Sequence, residues 1–198
     1  MAFRYRIALA VACVALLGLL TPSALRADNL VNNGGFETSD LTGWTLALAA
    51  SGSEFNVGSQ NPFDGFEAAD FGASGTDYDS ISQTLGTTSG STYTLSFWLA
   101  NANYGNDGTS DFQVWWDGSL VADIAGTGTS SFGYTEFTFA ESGAGSDTLS
   151  FDGYNDPGWF NLDDVSVSTN ATPEPSSLVL LGTGLLGMCW LICRRLTA

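Results

Sequence analysis

The ionisable chemistry of residues 28–171 is carboxylate and phenol alone. The five basic residues of the chain, Arg4, Arg6, Arg26, Arg194 and Arg195, all lie outside that stretch, and the chain has no histidine or lysine. The same stretch holds 20 of the 21 acids, every one except Glu174, so with no cation against them its formal charge is −20. Without imidazole or amine there is no Ser–His pair, no Schiff base and no cationic clamp for phosphate. Cys13, Cys189 and Cys193 fall in apolar terminal stretches, which removes disulfides and thiolate zinc sites from the middle of the chain. Affinity for nucleic acid needs cations against phosphate, so a surface of this sign excludes it as a partner. Carboxylate and aromatic groups together can still hydrolyse a glycosidic bond, ligate calcium, or stack on a sugar ring while bonding its hydroxyls.

The sugar chemistry rests on tryptophan. Successive side chains of a strand point to opposite faces. In residues 93–100, Tyr93, Leu95, Phe97 and Leu99 make the core face, which leaves Trp98 outward among Thr94, Ser96 and Ala100. In residues 112–116, Phe112, Val114 and Trp116 take the core, and Trp115 stands outward beside Gln113. If those two strands share a sheet, Trp98 and Trp115 line one platform. Loops at 101–107 and 152–159 add Tyr104, Tyr154 and Trp159 with Asn101, Asn103, Asn155 and Asp156. Trp98, Trp115, Tyr104 and Trp159 are therefore the candidate sugar-binding residues. Against this, an indole in a sandwich is commonly core, as expected of Trp44 and Trp116.

Glycoside hydrolysis needs two carboxylates about 5–5.5 Å apart for retention or about 6.5–9.5 Å for inversion. Asp163 and Asp164 are strand neighbours and point to opposite faces, and no other pair is singled out. No catalytic residue is assigned, and the chain is read as not an enzyme.

The elements that must position these residues are strands. Gly, Ser, Thr and aromatics dominate, and no stretch keeps a helical period. Alternating runs bounded by Gly, Asn, Asp or Ser occur near 29–36, 43–49, 54–57, 66–71, 79–85, 92–102, 111–116, 120–124, 134–140, 148–151 and 160–168. Asp117-Gly118 is a tight-turn signal between two of them. About ten short strands in one domain predict an all-β, two-sheet antiparallel jelly-roll sandwich over residues 28–169.

Two segments sharpen that reading: Asn29-Leu30-Val31-Asn32-Asn33-Gly34-Gly35-Phe36-Glu37 with Leu41-Thr42-Gly43-Trp44, and Phe160-Asn161-Leu162-Asp163-Asp164-Val165-Ser166-Val167. Together they resemble the opening and closing strands of jelly-roll carbohydrate-binding modules with a galactose-binding-like fold. The resemblance implies that the first and last strands are neighbours and hold a structural calcium. It would be held by Glu37, one of the pair Asp163 and Asp164, and a group near Asp64, with backbone carbonyls completing six to eight oxygens. The competing reading is that Glu37 caps a turn and Asp163 accepts backbone amides.

The two ends carry addresses. Arg4 and Arg6 precede an apolar stretch at 7–20, and Pro22 and Ala27 follow, so residues 1–27 read as a signal peptide cut before Asp28. Cleavage at Cys13 as a lipoprotein would leave an exposed apolar tail and is rejected. At the other end, a linker at 170–175 contains Pro173-Glu174-Pro175. An uncharged apolar run at 176–193 and a basic tail at 194–198 with Arg194 and Arg195 follow. Eighteen helical residues span about 27 Å at about 1.5 Å each, close to a bilayer core of about 30 Å. The run is thus expected to be a transmembrane helix with its arginines on the cytoplasmic side. Motif, span and basic pair in this order resemble the PEP-CTERM sorting signal, which implies handling by a membrane-embedded exosortase with cleavage near the motif. An ordinary C-terminal anchor is the plainer alternative.

The whole reads as an exported, non-catalytic surface or matrix protein, anchored in the membrane at least transiently and associating with extracellular polysaccharide. The alternatives are a purely structural or adhesive acidic envelope protein and, less favoured, a glycoside hydrolase.

Overall fold

The computed structural model describes residues 28–50, 52–73, 75, 77–103, 109–125 and 131–169, together with Gly182 and Gly184. The expected signal peptide, the linker with Pro173, Glu174 and Pro175, nearly all of the 176–193 span, the tail with Arg194 and Arg195, and Tyr104 lie outside the described residues. Among the described residues, no helix is long and apolar enough to cross a membrane.

Among the described residues, ten strands follow one another: β1 (Thr45–Ala47), β2 (Asn56–Gly58), β3 (Ala68–Phe71), β4 (Asp79–Leu85), β5 (Thr92–Asn103), β6 (Thr109–Trp116), β7 (Ser119–Ala125), β8 (Phe132–Ser142), β9 (Asp147–Asp156) and β10 (Gly158–Thr169). They form two antiparallel five-stranded sheets, β1-β4-β9-β6-β7 (sheet A) and β2-β3-β10-β5-β8 (sheet B). The fold is the all-β jelly-roll sandwich that the alternating pattern predicts. Consecutive strands mostly switch sheets; β6 and β7 remain paired because a two-residue turn joins them. In that turn Asp117 and Gly118 both have positive φ, 47° and 77°, and Trp116 pairs with Ser119.

Alternation builds the core. Tyr93, Leu95, Phe97 and Leu99 of β5 and Phe112, Val114 and Trp116 of β6 point inward and are buried, as are Ile81, Leu85, Leu149 and Phe151. Phe151 sits edge-on to Phe97 at 5.1 Å and 78°, locking sheet A to sheet B. Trp44 is core, as expected, with its Nε1–H donating to the Asn33 carbonyl at 3.1 Å.

β10 breaks the period. Phe160 and Leu162 face the core, but the next core residues are Val165 and Val167, three and five positions on. Between Asp163, opposite Trp98, and Ser166, opposite Ser96, β10 spends one residue more than β5. Asp164, at φ 48°, stands within this bulge, which re-phases the strand.

Residues 29–36 do not form the expected strand. Asn33 and Phe36 take positive φ, 54° and 57°, and the Asn-Asn-Gly-Gly run turns. The segment is nevertheless tied to β10. Leu30 N–H donates to the Val167 carbonyl at 2.8 Å and Val165 N–H to the Gly34 carbonyl at 2.9 Å. The Asn29 side chain stands in for a strand: its Oδ1 accepts Val167 N–H at 2.9 Å while its Nδ2 donates to the Val165 carbonyl at 3.2 Å.

Candidate functional site

The shared platform of Trp98 and Trp115 does not form. Trp98 is on β5 in sheet B and Trp115 on β6 in sheet A, so outward placement sends them to opposite faces of the sandwich. Trp98 is also covered. The segment after β2 crosses over it, and the Phe63 ring stacks on the indole with centroids 3.9 Å apart and planes at 11°. Tyr134 of β8 flanks Phe63 at 5.3 Å, and its hydroxyl donates to the Asn61 carbonyl. Trp115 is half-buried, with its indole N–H enclosed and without a partner.

The expected loop at 152–159 is instead the end of β9 and the start of β10. Asn155 of β9 and Asn101 of β5 are buried, with Asn155 Nδ2 donating to Asn101 Oδ1 at 2.9 Å, and present no exposed amide to a ligand at the surface. Tyr154 is buried edge-on to Tyr78 at 5.1 Å.

Trp159 does border a usable space. On the outer face of sheet B, beyond the part roofed by Phe63, lies a cleft of about 330 Å³ lined by Asn56, Gln60, Asn61, Asp70, Ala102, Trp159 and Asn161. Each strand residue among them is placed by alternation. Ala69 and Phe71 go inward and leave Asp70 outward; Phe160 and Leu162 go inward and leave Trp159 and Asn161 outward. Asn161 is in register with Asp70, which is in register with Asn56, so three polar residues form a row across β10, β3 and β2. The indole can lie against β3 because residue 72 is glycine; a Cβ there would overlap the six-membered ring of Trp159.

Hydrogen bonds fix this row. Asn61 Nδ2 donates to Asn161 Oδ1 at 3.0 Å, and Asn161 Nδ2 donates to Asp70 Oδ1 at 2.6 Å. Asp70 is only 3% exposed. Burial pushes its carboxyl from 3.8 to about 6, against the bond from Asn161 and with the charges of Glu67 and Asp163 adding to the rise. An amide row, one indole and one carboxylate can meet a sugar's hydroxyls and its apolar face together.

Asp163 lies on the same face beneath the roof and is fully buried. Its Oδ2 accepts the N–H groups of Phe63 at 2.8 Å and Asp64 at 3.3 Å, and its Oδ1 that of Asp164 at 2.7 Å. Burial raises its carboxyl to about 6 despite those three bonds.

The expected calcium ligands meet at the corner beside this roof. Glu37 Oε1 accepts Phe66 N–H at 2.8 Å and Glu67 N–H at 3.1 Å, so Glu37 caps the turn. Asp163 is committed to amides, and it is Asp164 that feels the charges of Asp64 and Glu37; burial first, then those two charges, raise its carboxyl. A Cβ at Gly65 would overlap the Glu37 carboxylate, so bare backbone lines this corner. Among the described residues, no three His, Cys, Asp or Glu side chains are grouped to hold a metal.

Sequence reasoning missed Asp70, Asn161, Asn56, Gln60 and Asn61. A signal existed for two of them: Asp70 stands between the core positions Ala69 and Phe71, and Asn161 between Phe160 and Leu162. It also missed a carboxylate pair on the outer face of sheet A. There Asp111 accepts from the Tyr78 hydroxyl and, at 3.1 Å, from Gln113 Nε2. A hydrogen bond with Asp111 raises the Asp123 carboxyl.

Comparison with known proteins bears on the sorting motif and on the fold. Residues 171–195 match the PEP-CTERM protein-sorting motif. Such a motif implies export and sorting to the envelope with exosortase processing. No curated protein matches the sequence. Among solved structures, the chain is similar to TmCBM61 in complex with beta-1,4-galactotriose, at 18% identity and TM-score 0.54, covering 73% of this chain and 100% of that one. It is similar to the CBM22-1 xylan-binding domain of Xyn10C from Paenibacillus barcinonensis, at 14% identity and TM-score 0.51, covering 76% and 100%. The enzymatically active domain of bacteriophage CBA120 tailspike protein 4 aligns at 17% identity and TM-score 0.53 over 72% of this chain, which spans only 21% of that protein's length. At these identities the likeness is one of fold. The chain thus joins a PEP-CTERM sorting motif to a sandwich with the fold of jelly-roll carbohydrate-binding modules.

Proposed function

We propose that this is an exported surface or matrix protein that holds extracellular polysaccharide in the cleft beside Trp159 without cleaving it. The observation that carries the reading is the joining of Trp159 to the hydrogen-bonded row Asn61–Asn161–Asp70 on one outer face. The fold shared with sugar-binding modules and the sorting motif support it. A signal peptide at 1–27, a membrane span at 176–193 that acts until an exosortase cuts near Pro173-Glu174-Pro175, and a calcium at Glu37, Asp64 and Asp164 complete the proposal. Asp163 keeps the roof closed over Trp98 and has no part in ligation.

The test is binding of the full chain, in detergent, to an array of neutral and charged oligosaccharides. Trp159→Ala should weaken binding at least tenfold, whereas Trp115→Ala, on the opposite sheet, should leave it within twofold. Binding to no glycan, or loss with Trp115→Ala alone, would sink the proposal.

A further inference from the structure

Given that the cleft beside Trp159 binds sugar, we infer that its preferred ligand is an amino sugar bearing a free ammonium group, as in a partly N-deacetylated hexosamine polymer. The carboxylate of Asp70 lies in the cleft wall, almost fully buried, and among the described residues its side-chain donor is the neutral amide of Asn161. No lysine, arginine or histidine exists anywhere in residues 28–171 to pair with it. Glu67 and Asp163 add their negative charge at the same place. Any cation that pairs with it therefore comes from outside the domain, and the cleft selects how it is presented.

An ammonium carries three donors and no acceptor. Asp70 offers it a charge-assisted bond, stronger in a partly dry cleft than in bulk water. Asn56, Gln60 and Asn61 line the same cleft, and a side-chain amide carries a carbonyl oxygen able to accept the ammonium's remaining hydrogens or those of neighbouring hydroxyls. Trp159 is the aromatic partner that a cation and the apolar face of a pyranose both favour. A neutral hexose could use the amides and the indole but would leave the charge of Asp70 uncompensated. A uronate or sulfated sugar would be repelled by it.

Four oligomers of equal length separate these cases: glucosamine, N-acetylglucosamine, glucose and galacturonate, titrated calorimetrically against the full chain in detergent at pH 6.5. The glucosamine oligomer should bind at least tenfold tighter than either neutral one at low salt, and the galacturonate should not bind. The preference should shrink in 0.5 M salt, since ion pairing is screened. Asp70→Asn should bring the ratio of glucosamine to glucose affinity to within twofold of one, whereas Asp152→Asn, on the other sheet, should keep it. Equal binding of neutral and amino oligomers, lost in Trp159→Ala, would overturn this inference and leave the sugar site standing. A preference unchanged in Asp70→Asn would assign it to general attraction by an acidic surface and overturn it likewise. Binding of none of the four, nor of any arrayed glycan, would remove the sugar site itself.

Discussion

The Phe63 ring lies flat on the Trp98 indole, 3.9 Å from it, and Phe63 itself remains 38% exposed. The strand pattern aims Trp98 outward, but a segment some 35 residues earlier in the chain claims its face. An aromatic surface that would otherwise meet solvent is thereby converted into the fixing point of a roof. Asp163, in register with Trp98, holds the same roof from below through the amides of Phe63 and Asp64.

Trp98→Ala should therefore act on stability first. Removing a half-buried indole and its stack should cost about 2 kcal/mol, less than the 3–5 kcal/mol of a fully buried one. Thermal melts check the size. Binding should weaken less than in Trp159→Ala, because Asn61 loses only part of its support.

Acidification should stabilise this protein at first. Asp70 and Asp163 have carboxyls raised from 3.8 to about 6 by burial. The folded state therefore holds protons more tightly than the unfolded chain, and this stabilisation is complete below 3.8 and lost as pH rises through 6. The melting temperature should rise between pH 7 and pH 5. Asp70→Asn should raise it at pH 7 and reduce the change. Asp40, whose carboxyl is lowered by bonds from Thr38 and Thr42, works in the opposite sense only at lower pH. A melting temperature that falls on going to pH 5 would contradict the argument.

Gly72→Ala should imitate the loss of Trp159 with the indole still present. The new methyl overlaps the ring, which must swing off β3 and change the cleft wall. Glycan affinity should drop severalfold, and the circular dichroism of the sandwich should be retained. Unaltered affinity would mean that the ring's seat on β3 is irrelevant to binding.

Asn29→Ala should loosen the opening segment. It strips the acceptor of Val167 N–H and the donor to the Val165 carbonyl, both on β10. Unsatisfied buried groups of this kind cost about 1–3 kcal/mol. Faster amide exchange at Val167 is the direct readout.

Calcium should raise the melting temperature at pH 7.5 and chelator should lower it, because the charges of Asp64 and Glu37 on Asp164 have no internal relief. Glu37→Gln should abolish the difference. Identical melts with and without chelator would exclude the metal.

What could be read from the sequence was whatever depends on near neighbours. Ten strands follow from alternation, and the Asp117-Gly118 hairpin from its turn residues. The bulge of β10 was visible in principle, since Leu162 and Val165 are an odd number of positions apart. The assignment of strands to sheets was not legible, because β5 and β6 are neighbours in sequence but partners of β10 and β9. Trp98 and Trp115 parted for that reason. The cleft was hidden for a similar one: Asn61 meets Asn161 a hundred residues away, and only closure of the sandwich brings them together. Residues 29–36 read as a strand because their tie to β10 runs partly through a side chain, which leaves no mark on the period.

β10 is the middle strand of its sheet, flanked by β3 and β5, and the chain leaves it at Thr169, just before the sorting motif begins at residue 171. A pull on that end enters the domain along its best-buttressed strand. Its ladders with β5 and β3 must slip together, loaded in shear, instead of opening one bond at a time as an edge strand would. Were the C-terminus fastened and the cleft holding a polymer, as proposed, the load would run along this central strand.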